Sequence, residues 1–138
     1  MARRIDFGDI DDDPIFIGED LTFRFQMVKK NSAGADVVEG DVSSNAYLMT
    51  VKKSPADSAA LIDLLTGAEI TFAAGISDPH NELAGANTVL VIAMNDTETE
   101  KITEAGLYHF DVWRTDAGNE SLVVFGTIHF VKAVRVLP

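Results

Sequence analysis

Leu107-Tyr108-His109-Phe110-Asp111-Val112-Trp113-Arg114-Thr115, then Asp116-Ala117-Gly118-Asn119, then Ser121-Leu122-Val123-Val124-Phe125-Gly126-Thr127-Ile128-His129-Phe130-Val131: this stretch decides the fold. Apolar residues alternate with polar ones in both long segments, the period-two signature of strands, and the polar, glycine-containing link between them predicts a hairpin. If Thr115 faces Glu120, then Phe110 meets Phe125, Val112 meets Val123 and Tyr108 meets Thr127, which makes one face a core face. The other face carries Leu107, His109, Asp111 and Trp113 opposite Ile128, Gly126, Val124 and Leu122. It is partly apolar and needs a cover: a second sheet, the N-terminal arm or a neighbouring subunit.

Working outward, Leu21, Phe23, Phe25 and Met27 alternate with Thr22, Arg24 and Gln26, a half-buried strand. Asn31-Ser32-Ala33-Gly34 is a turn, and Asn45 to Lys52 alternates again through Tyr47, Met49 and Val51. Pro55 to Leu65 fits a short helix or a loop leading into a strand. Ile70 to Ala73 is a short strand and Ser77-Asp78-Pro79-His80-Asn81 a loop. Val89-Leu90-Val91-Ile92-Ala93-Met94 is apolar on both faces, as a central strand is. Asn95-Asp96-Thr97 can cap one or two helical turns, with acidic residues following where the helix dipole favours them. These elements predict an all-β sandwich of about 6 to 8 mostly antiparallel strands.

The chain has 138 residues, 11 Lys plus Arg against 22 Asp plus Glu, a formal charge of −11 and no cysteine. That length predicts one domain able to bury a core without staples. The acidic balance argues against nucleic acid as a partner, because counterion release requires basic residues. Absence of cysteine excludes disulfides and thiolate metal sites and suits a reducing cytoplasm. No secretory signal is legible, and the longest mainly apolar stretch, Leu122 to Val131, falls short of the ~20 residues that span a bilayer. No membrane partner is expected. Asp6, Asp9, Asp11, Asp12 and Asp13 crowd the beginning, so residues 1–14 read as an acidic extended arm, residues 15–133 as the sandwich and residues 134–138 as a tail. The arm is expected to order against a basic patch on a partner.

Candidate chemistry is sparse. Asp9, Asp11 and Asp13 sit at positions 1, 3 and 5 of a calcium loop with Asp20 at position 12, but Pro14 stands where that loop needs glycine. A solvated or partner-contacting arm is the competing reading. In the register above His109 faces Gly126 and His129 faces Gly106, so pairing does not join two imidazoles; His109 and Asp111 share a face and can hydrogen-bond. Neither Ser121 nor another serine has a nucleophile elbow, and no phosphate loop is present. Asn95-Asp96-Thr97 and Asn119-Glu120-Ser121 match the glycosylation pattern, but cap and turn roles account for them. No cofactor and no catalytic residue is assigned.

Gly106-Leu107-Tyr108 is similar to the tyrosine corner of immunoglobulin-like sandwiches, an ordinary core tyrosine being the alternative. More broadly, Gly18-Glu19-Asp20-Leu21-Thr22-Phe23, then Asp96-Thr97 ahead of Ala105-Gly106-Leu107-Tyr108-His109-Phe110-Asp111-Val112, then Phe125-Gly126-Thr127-Ile128, resembles small β-sandwich proteins of tailed bacteriophages. The family is the immunoglobulin-like module of baseplate upper and tail-fibre-associated proteins. This resemblance spans residues 15–133 and implies a non-enzymatic virion component of tail, neck or baseplate, assembled in the host bacterial cytoplasm. Those modules usually precede a further region, whereas this sequence stops at Pro138, which implies a stand-alone component. Its expected partners are other virion proteins and itself. The expected contacts are the aspartate arm, Trp113, and the apolar Val134, Val136 and Leu137. A capsid decoration protein is one alternative; a carbohydrate- or ligand-binding module, with Trp113 as an exposed platform, is another.

Overall fold

The computed structural model describes residues 3–8, 15–30, 32–34, 36–38, 41–75 and 87–132. Its strands are β1 (Arg3–Phe7), β2 (Ile15–Phe16), β3 (Leu21–Gln26), β4 (Val28–Lys30), β5 (Asp36–Val38), β6 (Tyr47–Lys52), β7 (Ile62–Leu65), β8 (Ile70–Ala73), β9 (Val89–Met94), β10 (Gly106–Arg114) and β11 (Ser121–Val131). One helical turn, α1 (Asp96–Thr99), precedes β10, and the Asn95 side chain caps it by accepting from the Glu98 amide. A six-stranded sheet runs β1-β11-β10-β6-β7, with β2 also on β11. A three-stranded sheet runs β3-β9-β8, and β4 pairs with β5. The chain is an all-β sandwich.

Most expected strands lie where the alternation places them. Residues 55–61 are a loop leading into β7, so of the two readings of Pro55 to Leu65 the loop applies. Strand β9 is central in its sheet, and both Val89 and Leu90 are buried, as its two-sided apolar run requires. The strand count rises to eleven among the described residues because of short pieces such as β2, β4 and β5.

The core lies between the two large sheets. Strands β6, β7 and β10 each turn alternate residues inward: Tyr47, Met49 and Val51; Ile62 and Leu64; Tyr108, Phe110 and Val112. Opposite them β3 and β9 supply Phe23, Phe25, Leu90, Ile92 and Met94. Phe7 of β1 joins the layers: its ring centroid lies 4.8 Å from Phe23, 6.0 Å from Phe25 and 5.7 Å from Phe110. Such offset and edge contacts add about 0.5–1.5 kcal/mol each beyond burial.

Two expectations are corrected. The register of β10 against β11 holds at the hairpin, where Trp113 faces Leu122, but slips between Val112 and Trp113. Val123 is the extra residue of a β-bulge, so beyond it Val112 faces Val124, Phe110 faces Gly126 and Tyr108 faces Ile128. His109 therefore faces Thr127 and His129 faces Leu107. Phe125, read as a core partner of Phe110, turns to the outside. The second correction concerns the start of the chain. Residues 3–7, placed in a free arm, form β1 and pair in parallel with β11 from Val124 to Ile128. Charge density suggested an arm, but the apolar Ile5 and Phe7 alternate inward and bury against the core.

Strand β1 fits because Gly126 has no side chain. A Cβ there would overlap the Ile5 carbonyl, so the β1 backbone occupies that space. Gly8, at φ +82°, then also passes too close to the His129 carbonyl to carry a side chain, and β2 resumes the same edge of β11 at Phe130. At this same end of β10 the Tyr108 hydroxyl donates to the Glu104 carbonyl at 2.7 Å, and the Lys53 ammonium stands 4.4 Å from the ring centroid. Gly126→Ala should displace β1, lowering stability by about 1–3 kcal/mol in chemical denaturation and exposing Arg3 and Arg4 to trypsin. Unchanged stability and protease resistance would show that β1 does not depend on this glycine.

Candidate functional site

The face of the six-stranded sheet that points away from the core is where the polar and apolar functional candidates gather. At the hairpin end the registers align one residue from each of four strands: Leu65 faces Leu48, Leu48 faces Trp113, and Trp113 faces Leu122. Leu65 is 52% and Trp113 39% exposed, so this apolar row meets solvent. The next row is Asp63, Thr50, Asp111, Phe125 and Arg4; the following one Lys52, His109, Thr127 and Asp6; and beyond it stand Leu107 and His129. Leu107 is 49% exposed. An open depression of about 240 Å³ lies in the middle of the face, lined by Thr50, Lys52, His109, Asp111, Leu122 and Phe125 among others.

Local bonds hold this face in shape. The Thr50 hydroxyl donates to Asp63 at 3.1 Å, and the Lys52 ammonium donates to the Asp57 carbonyl at 2.8 Å, drawing the loop after β6 beside the depression. Asp6 accepts from both the amide and the hydroxyl of Thr127, at 3.0 and 2.9 Å. The Thr127 hydroxyl, ahead of Arg4, holds the Asp6 carboxyl below its ordinary range. Asp6 thus acts as an edge clamp between β1 and β11 and also makes a surface ion pair with Arg4 at 3.3 Å.

Beyond the apolar row, Arg114 closes the hairpin end. Its guanidinium donates to both carboxylate oxygens of Asp116, at 2.8 and 2.9 Å, and to Asn45 at 3.0 Å. This fork ties the hairpin to the start of β6. Hydrogen bonding from Arg114 lowers the Asp116 carboxyl to about 2.

Of the other predicted residues, Asp9, Asp11, Asp12, Asp13, Val134, Val136 and Leu137 lie outside the described residues, as does His80. The calcium reading loses no ground and gains none there. Asp20 accepts the Asp96 amide at 2.6 Å, joining the start of β3 to α1. Among the described residues no three acidic or histidine side chains form a metal-ligating group, and no helix is long and apolar enough to cross a membrane. Trp113 is brought together with His109 and Asp111 on one face, as the alternation predicts. Leu48 and Leu65 complete the row only through the pairing of β6 and β7, which single-strand alternation does not reveal. The glycine at 126 was the available signal, since a residue without a side chain in register with Phe110 leaves the room that the β1 backbone takes.

No family model, curated protein or solved structure matches the chain.

Because the Asp116 carboxyl is depressed in the folded state, its stabilisation is full above the ordinary aspartate range near ~4 and is lost as pH falls toward 2. Asp116→Asn should therefore flatten the acid limb of the stability profile between pH ~4 and ~2. An unchanged acid limb in urea melts at stepped pH would remove Asp116 from that role.

Proposed function

We propose that the chain is a non-enzymatic structural protein of a tailed-bacteriophage particle, an immunoglobulin-like sandwich that contacts neighbouring proteins through the outer face of its six-stranded sheet. The observation that carries the contact reading is the solvent-facing row Leu65, Leu48, Trp113 and Leu122, four apolar side chains in register across four strands. Apolar rows framed by charge are characteristic of protein interfaces, where aromatic anchors supply most of the binding energy. Support for the immunoglobulin-like assignment comes from the strand order, in which first and last strands pair in parallel, and from the Tyr108 hydroxyl bonded four residues upstream. The virion assignment rests on the sequence resemblance to phage sandwich modules. Mass spectrometry of purified particles from a culture expressing the chain should detect it at stoichiometric level, and labelled copies should image at tail, neck or baseplate. Its consistent absence from particles would overturn the virion reading, and copies over the capsid shell would replace tail attachment with decoration.

A second reading has its own observation. Trp113 is 39% exposed and stands in the row bordering the depression that holds Asp111, His109 and Thr50, an aromatic beside hydrogen-bonding groups as a sugar platform requires. A glycan array should return hits lost in Trp113→Ala at unchanged melting temperature if this module reading holds; no hits, or a variant that only loses stability, would reject it.

A further inference from the structure

We infer that the occupant of the outer face is a second copy of this chain, docked face to face about a two-fold axis that crosses the strands over Phe110. The inference rests on the contact reading above and names the partner. Along β10 the outward residues read Leu107, His109, Asp111, Trp113. A two-fold axis lying in the interface, perpendicular to the strands and centred on Phe110, sets Leu107 on Trp113 of the second copy and His109 on its Asp111. The neighbouring strands obey the same centre. Phe110 is in register with Val51, Gly126 and, through Gly126, with Ile5. The operation therefore sets Arg4 on Asp6 of the second copy, Lys52 on Thr50 and Phe125 on Thr127.

Arg4, Lys52 and the His109–Asp111 pair then each meet an opposite charge or a hydrogen-bonding group, and the two exposed ends of β10 bury each other. An isologous interface requires this self-complementarity. A two-fold axis parallel to the strands does not supply it, because Asp111 would oppose its own image. Net charge points the same way. The chain carries −11 overall, which opposes self-association on most surfaces, yet the outer face holds Arg4 and Lys52 against Asp6, Asp63 and Asp111 and is close to neutral. Five strands spaced ~4.8 Å apart over the length from Leu107 to Trp113 offer roughly 550 Å² per copy, about 1,100 Å² in total. That reaches the ~1,000 Å² threshold of a specific interface.

Sedimentation of the full chain from ~1 to ~200 µM should show a monomer–dimer equilibrium, and Leu107→Arg should raise the dissociation constant at least ~tenfold without changing the melting temperature. Arg4→Glu, at an exposed position, sets a carboxylate against Asp6 of the second copy and should weaken the dimer in the same direction. Orientation is read by cross-linking, which is clean because the chain has no cysteine. A bismaleimide spanning ~10 Å, the spacing of stacked sheets, should join a Leu107→Cys copy to a Trp113→Cys copy when the two are mixed and join neither to itself. A monomer throughout, a dimer indifferent to both charge variants, or a Leu107→Cys homodimer overturns the inference. These outcomes are separate from those of the contact reading: a monomer found in particles retains that reading and loses this one, and a dimer absent from particles does the reverse.

Discussion

One extra residue in β11 sets the character of both sheet faces. Val123 has no partner on β10, and the slip it introduces sends Val124, Gly126, Ile128 and Phe130 to the core side while Leu122 and Phe125 remain outside. A bulge does this because side chains alternate with period two, so a single insertion exchanges the faces of everything beyond it. Were Val123 paired with Val112 in a regular ladder, Phe125 would press on Phe110 and Gly126 would open to solvent. With the bulge in place, a glycine lies under a phenylalanine at the one point where β1 must approach closely.

The seating of β1 follows from that arrangement. Its backbone takes the space a Cβ at Gly126 would fill, Phe7 reaches the aromatic rings of both layers, and Asp6 is left on the outer face to clamp Thr127. The same acid that looks like part of a repelling arm is a structural bond at the sheet edge. Charge density along a chain predicts repulsion only while the charges are unpartnered, and Arg4 and Thr127 provide partners.

The outer face is the consequence with functional weight. Its apolar row meets solvent at one end, its centre mixes both signs of charge, and its far end exposes Leu107. A surface of this kind gains free energy from a partner and specificity from where the charges lie. The Arg114 fork on Asp116 and Asn45 keeps the hairpin end rigid, so the row is presented already ordered.

The strands of the core were legible from the residues because alternation is a local property: Phe23 and Phe25, Tyr47 to Val51 and Tyr108 to Val112 declare their inward faces within a few positions, and the two-sided apolar run Val89 to Met94 declares a central strand. The Asn95 cap and the Asp116 to Asn119 turn were legible for the same reason, since each is a short-range hydrogen-bonding or conformational preference. Of the candidate site, Trp113, His109, Asp111 and Leu107 could be placed on one face from sequence. The bulge at Val123 could not, because an unpaired valine in a run of valines costs the pattern nothing locally. Nor could the row through Leu48 and Leu65, the parallel docking of β1 or the close approach at Gly126 be foreseen. Each depends on which distant strand lies alongside, and that choice is made by burying the whole apolar surface at once.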